Sequence, residues 1–262
     1  MKAKKIIKMV LKIGAFVLGV FALLLAINFI PTLNLKINGM SVLKGNWVNV
    51  YYENEKDAAT DTFELADKRA GELAGLLGIT EKQDINIYIY DQQSTMQTKK
   101  YGLIAPLLGL DWYIGDNIGT NVILTSPANP GKVHDYDNNK NAVLHEMVHA
   151  YNSVLNRHMT YWVDNGLAGY LSQQIPNSDL CNRCSIPTLK QTQVSGLRAP
   201  ITFEKFGGYE YSYTYIKYLV VTYSWNKVVK FARSGNFMDS FGADESAIYA
   251  GWVKYVMDYS SK

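Results

Sequence analysis

The chain has 262 residues, 48% of them hydrophobic and 19% charged, which is enough apolar material for a well-buried domain and excludes a disordered polyelectrolyte. Its formal net charge of +3 is a local effect, because five lysines precede residue 13 and without them 21 basic residues face 23 acidic ones. No concentrated basic face remains, and nucleic acid is excluded as a partner.

Those lysines, Lys2, Lys4, Lys5, Lys8 and Lys12, mark residues 1–12 as a basic segment. It is followed at 13–30 by IGAFVLGVFALLLAINFI, in which Asn28 is the one strongly polar side chain. Eighteen residues rising about 1.5 Å each give about 27 Å of helix, close to the roughly 30 Å hydrocarbon core of a bilayer. Basic flanks stay on the cytoplasmic side. The expectation is a single-pass signal-anchor in the cell membrane, with a cytoplasmic N-terminus and an extracytoplasmic domain over 31–262. A cleaved signal peptide is the rival reading. It has an apolar region of about 7–15 residues and a small-x-small cleavage site, whereas this run is longer and Ala26-Ile27-Asn28-Phe29 lacks that pattern.

After Pro31 no repeat or low-complexity linker divides the chain. WVNVYYE at 47–53 reads as a strand, 57–78 as an amphipathic helix ending at Gly78, and INIYIY at 85–90 as a second strand. A short helix is expected over 94–101, a Gly-rich loop over 102–121 and a third strand at 121–126. Helices are then expected over 138–156, 164–175, 209–224, 226–234 and 244–259. Strands first and helices after is an α+β order. Cys181 and Cys184 form CNRC. In an exported domain that pair reads as a local disulfide, since His134 and His158 lack the spacing to complete a structural zinc site.

The informative motif is HEMVH, His145 to His149, within NKNAVLHEMVHAYNSVL. Residues four apart on a helix share a face, so two imidazoles can bind one zinc ion with the intervening Glu146 beside it. Zinc lowers the pKa of a water molecule to about 7, and Glu146 is the expected general base for amide hydrolysis. The bland alternative is a polar face in solvent. Val143, Leu144, Met147 and Val148 argue against it, because they make this a buried helix whose polar groups need partners.

Three segments together carry a resemblance: HEMVH, then WVDNGLAGYL at 162–171, then YEYSYTYIKYL at 209–219, with FGADESAIYAGWVKYV closing the chain. In order and spacing they resemble the gluzincin metallopeptidases, specifically the peptidase MA-like group and, more distantly, aminopeptidase N and leukotriene A4 hydrolase. The resemblance runs from about residue 47 to the end. It implies a small mixed β-sheet with a mainly helical C-terminal half, a zinc cofactor, and peptide or protein substrates. His145 and His149 match the zinc ligands, Glu146 the base, and Tyr209 the tyrosine that donates to a developing oxyanion. Tyr211 and Tyr213 compete for that last role.

Two departures matter. Where the family pattern W-L-N-E-G-L-A-E-Y-L has its ligand Glu, this chain has Asn165, with Asp164 one place earlier. A neutral amide is a poorer zinc ligand than a carboxylate, so Asp164, Glu204 or Glu210 is needed to complete the site, or the site is retired. Asp164 also suits a helix N-cap, and Ala168 and Gly169 suit a close approach to the HEMVH helix. The second departure is the missing Gly-x-Met-Glu-Asn segment that holds a substrate's free amine in aminopeptidases. Residues 115–125, GDNIGTNVILT, occupy the comparable place and suit an edge strand for an extended peptide. The function these readings imply is an endopeptidase. The alternative is a catalytically inactive module binding peptide or protein through the same groove.

Overall fold

The computed structural model describes residues 2–177, 179–196 and 198–259. Helix α1 runs Lys2–Asn28, and its segment Lys4–Asn28 is long and apolar enough to cross a membrane, with none of its apolar window buried against the rest of the chain. The apolar run continues to residue 30 but the helix does not. Pro31 has no N–H to donate back to the Ile27 carbonyl, so the α-helical ladder stops and the chain passes into a 3-10 turn, Ile30–Leu33. Asn28 ends the helix with a purpose. Its Nδ2 donates to the Tyr101 carbonyl at 3.2 Å, its Oδ1 accepts from Ile104 N at 3.0 Å, and its own carbonyl accepts from Leu103 N at 3.0 Å.

Five strands follow in one mixed sheet: β1 Ser41–Lys44, β2 Val48–Tyr52, β3 Ile85–Tyr90, β4 Gly115–Ile118 and β5 Asn121–Thr125, in the spatial order β1-β2-β3-β5-β4. β2, β3 and β5 are parallel, joined through α2 (Lys56–Leu76) and α3 (Gln93–Tyr101), while β1 and β4 flank them antiparallel. Alternation sets the two faces. Val48, Val50, Ile85, Ile87, Ile89, Val122 and Leu124 enter the main core, and Tyr90 and Ile123 enter a smaller one with Met96 on the opposite side. Asn49, Asn86 and Asn121 sit in register across three strands, their amides bonded at 3.2 and 3.4 Å. A one-residue slip of any strand breaks this ladder and turns its isoleucines to the wrong face.

Two strands depart from expectation. β1 is four residues with no buried position, so it has no periodicity to read. β4 lies inside the expected 102–121 loop. Its sequence, Gly-Asp-Asn-Ile, is turn-like, yet it pairs with β5 across a two-residue turn in which Gly119 takes φ +61°. A 3-10 turn, Ala105–Leu108, occupies the earlier part of that loop.

The C-terminal half is helical: α4 Tyr136–Leu155, α5 Tyr161–Leu171, α6 Leu180–Arg183, α7 Ala199–Lys205, α8 Gly208–Tyr223, α9 Trp225–Ser234, α10 Phe237–Phe241 and α11 Glu245–Tyr259. α4 lies between α2 and α5, and α5 lies between α4 and α8. Trp252 of α11 is fully buried among Trp162, Tyr211 and Tyr215, and its Nε1 donates to Thr214 Oγ1 at 2.9 Å. That ring of aromatics uses the tyrosine-rich helix as core.

Several local expectations are corrected. Gly169, expected against the HEMVH helix, faces α8 instead, where a Cβ on it would meet Tyr213; Gly166 faces the same way, and a Cβ there would lie 2.6 Å from the Ser212 carbonyl. Thr160, not Asp164, caps α5, accepting from Val163 N at 3.4 Å. α5 stops at Leu171 instead of 175 because Gln173 takes φ +62°. Cys181 and Cys184 form no disulfide; Tyr211 Oη donates to the Cys184 carbonyl at 2.6 Å and, at 3.7 Å, to Cys181 Sγ.

Candidate metal centre and cleft

α4 positions the HEMVH residues. Asp135 caps it, accepting from Asn138 N at 2.7 Å while the Asn138 side chain accepts from Asp135 N. From Ala142 to Asn152 every residue is buried. Such a helix cannot turn away, so the faces of His145, Glu146 and His149 are fixed by core packing on both sides. The three are 8%, 8% and 9% exposed, and what exposure they have opens into a cleft of about 1160 Å³.

The imidazole rings lie 4.8 Å apart, centroid to centroid, nearly perpendicular. Each has an oxygen at Nδ1. For His145 it is Gln174 Oε1 at 2.9 Å; for His149 it is Asp164 Oδ1 at 2.8 Å, off the line of the ring N–H, so the contact is an ion pair rather than an aligned hydrogen bond. Oxygens at both Nδ1 atoms favour a proton there, which leaves Nε2 as the lone-pair atom of neutral His145 and frees Nε2 of His149 once its second proton is displaced. Asp164 Oδ1 also accepts from Asn152 Nδ2 at 2.8 Å.

The rings differ in charge. Burial drives His145 down to about 3, helped by His149 and opposed by hydrogen bonds with Gln174 and Asn165, so it is neutral. Burial also works to lower His149, but Asp164, through its charge and its contact, outweighs it and raises the pKa to about 9. Burial raises Glu146 to about 8, against the opposing charge of His149. Glu146 makes no hydrogen bond among the described residues, and the β4 backbone lies directly over it. A Cβ on Gly115 would come within 3.0 Å of Glu146 Oε1.

The cleft gathers the other residues. Tyr209 lines it, its Oη 3.3 Å from Tyr161 Oη, and burial holds its pKa well above the ordinary tyrosine value. Tyr211 bonds to Cys184 and Tyr213 packs on Tyr170, neither of them lining the cleft. Asn165 is 2% exposed and its Nδ2 donates to the Tyr161 carbonyl at 2.8 Å, leaving its oxygen for the His145 side. Glu204 stands on the rim, while Glu210 is tied to Arg183 at 2.9 Å. Opposite, Asp116 of β4 pairs with Lys100 at 2.7 Å.

This donor set fits zinc at two positions and departs from it at the third. No group of three or more His, Cys, Asp or Glu side chains among the described residues is placed to hold a metal ion. The sequence pattern did not single out Gln174. It carries no motif, and it reaches His145 only because Gln173 adopts a left-handed backbone just past α5.

Among solved structures the chain is similar to native yeast LTA4 hydrolase, with a TM-score of 0.46 and 15% identity, over 84% of this chain and 37% of that one. The chain therefore spans little more than a third of that protein's length. No family model and no curated protein matches the sequence.

Proposed function

We propose that this chain is a membrane-anchored, extracytoplasmic zinc-dependent endopeptidase of the gluzincin type, its N-terminus in the cytoplasm. The observation that carries the reading is the pair of imidazoles with an oxygen on each Nδ1, the arrangement that aims Nε2 atoms at a metal. In it His145 and His149 are ligands, the Asn165 amide takes the third place, and Asp164 orients His149 from behind instead of ligating directly. When bound, zinc supplies Lewis acidity toward water and the substrate carbonyl.

The chain's own residues do the rest. Glu146, next to His145 on α4 and facing the cleft, takes a proton from the attacking water and returns it to the leaving amine. Tyr209 keeps its proton at any physiological pH and donates to the oxygen on which charge develops. β4 is an edge strand whose Gly115, Asp116 and Asn117 line the cleft, and it pairs with an extended substrate along its free side. No acidic side chain there is free to hold a terminal amine, because Asp116 is paired with Lys100, which favours internal bonds.

Asn165 favours a second reading, a groove that binds peptide without cutting it. Zinc content and peptide cleavage, measured on the native protein beside Glu146→Gln and Asn165→Glu, separate the two. Zinc bound one to one, with cleavage lost in Glu146→Gln, supports the peptidase. A native protein without zinc, regaining it in Asn165→Glu, refutes it in favour of the binding module.

A further inference from the structure

The two 3-10 turns, Ile30–Leu33 and Ala105–Leu108, lie some 70 residues apart in sequence and pack on the same helix, α3. Asn28 ties them together through its bonds to Tyr101, Leu103 and Ile104. Between Gly102 and Leu110 the chain reads GLIAPLLGL, nine residues without one polar side chain. A loop of that composition is ordinarily folded inward. Here only Gly102, Ala105 and Leu110 are buried, while Leu107 is 85% exposed, Leu103 54% and Ile104 49%, and Leu33 and Ile30 of the other turn are 84% and 59% exposed.

Single exposed aliphatics need no explanation, and Val42, Val154, Val221 and Met238 lie one each on four different elements. A cluster of five is different. It adjoins the C-terminal end of α1, where Ile27 and, just past the helix, Phe29 are exposed and apolar. Lys99, which donates to the Asn34 carbonyl at 2.6 Å, and Lys100 precede the loop, and Asp111 and Trp112 follow it, so charged and aromatic residues flank the apolar run as they do at membrane interfaces.

We infer that the exported domain is seated on the outer leaflet of the bilayer through Ile30, Leu33, Leu103, Ile104 and Leu107. The inference rests on the reading of α1 as a membrane span. Continuity with α1 identifies lipid as the occupant, because a helix leaving the bilayer at Asn28 brings both turns to the interface. The seat also positions the cleft. Trp112 lines it five residues after Leu107, a reach of at most about 18 Å, so the site works on polypeptide close to the membrane surface.

The test places the photo-crosslinking residue p-benzoylphenylalanine at position 21, 33, 107 or 238 of the full chain, reconstituted in vesicles of phosphatidylcholine and phosphatidylglycerol. Lipid adducts are read by mass. The seat gives adducts at 21, 33 and 107, at least tenfold above 238. Adducts at 21 but at neither 33 nor 107 overturn the seat and leave the membrane span standing. Equal adducts at 107 and 238 also overturn it, since the cluster is then no different from the rest of the surface. No adduct at 21 removes the span, and the seat with it.

Discussion

Replacing Asp164 by Asn removes one charge and almost no volume. The amide oxygen still accepts from Asn152 Nδ2, 2.8 Å away in the native protein, so local packing survives and the change falls on His149. Two effects follow. Loss of an orienting carboxylate behind a metal-binding imidazole costs about 10- to 100-fold in metal affinity, or about 1.4–2.8 kcal/mol. In the metal-free protein the variant also loses a charge-assisted contact, worth about 1.5–3 kcal/mol. The sign of the pH dependence is fixed by His149, whose folded-state pKa is raised from 6.5 to about 9. Between those values the folded protein holds a proton that the unfolded chain has released, so the stabilisation is complete below pH 6.5 and disappears as pH rises through about 9. At about 2–4 °C per kcal/mol for a chain of this size, Asp164→Asn lowers Tm by about 3–12 °C at pH 6 and scarcely at all above pH 9.5. Chelator competition gives the zinc affinity, and melting curves of the chelated protein at pH 6, 7.5 and 9.5 give the rest. Native zinc affinity together with a Tm difference that does not change with pH refutes the assignment of Asp164 to His149.

Tyr209→Phe removes the one buried tyrosine hydroxyl on α8 that lines the cleft, and is expected to lower kcat by about 10²–10³-fold while zinc content stays native; unchanged kcat in a steady-state peptide assay returns Tyr209 to packing with Trp112 and Phe203. Gly166→Ala has better helix propensity by about 1 kcal/mol, yet its Cβ would stand 2.6 Å from the Ser212 carbonyl and 2.8 Å from Ile216 Cγ1. Because backbone yields less than a side chain, α5 and α8 separate and the variant is less stable by about 1–3 kcal/mol. Urea unfolding that shows a gain in stability is the contrary result.

How much could be read beforehand follows from where periodicity is strong. β3 was legible to the residue, INIYIY at Ile85–Tyr90, because three buried isoleucines alternate with half-buried partners. α4 was legible within two residues, and with it the shared burial of His145, Glu146 and His149. β4 was not, since Gly-Asp-Asn-Ile has turn propensities and becomes a strand only by pairing with β5. The end of α5 was hidden in the backbone angle of Gln173, and Gln174 with it. The CNRC pair shows the opposite failure: spacing and compartment suggested a covalent link, while the structure satisfies the region through Tyr211 and the Cys184 carbonyl.

The pair Asp164-Asn165 puts a carboxylate one position earlier than the gluzincin pattern does, and one position on a helix is a rotation of about 100°. That rotation decides what the charge does. From position 165 a side chain reaches the His145 face, as the Asn165 amide does; from 164 it reaches His149 Nδ1 and Asn152. The cleft therefore keeps a negative charge beside the two imidazoles, and that charge holds one of them. A cation held by two imidazoles and an amide is bound less tightly than one held by two imidazoles and a carboxylate. In the metal-free protein Asp164 raises the pKa of His149 to about 9, so the half-buried carboxylate faces a protonated imidazole at neutral pH. Under the proposed zinc reading, an amide at 165 together with a carboxylate at 164 lowers metal affinity and gives His149 a charge partner in the metal-free protein.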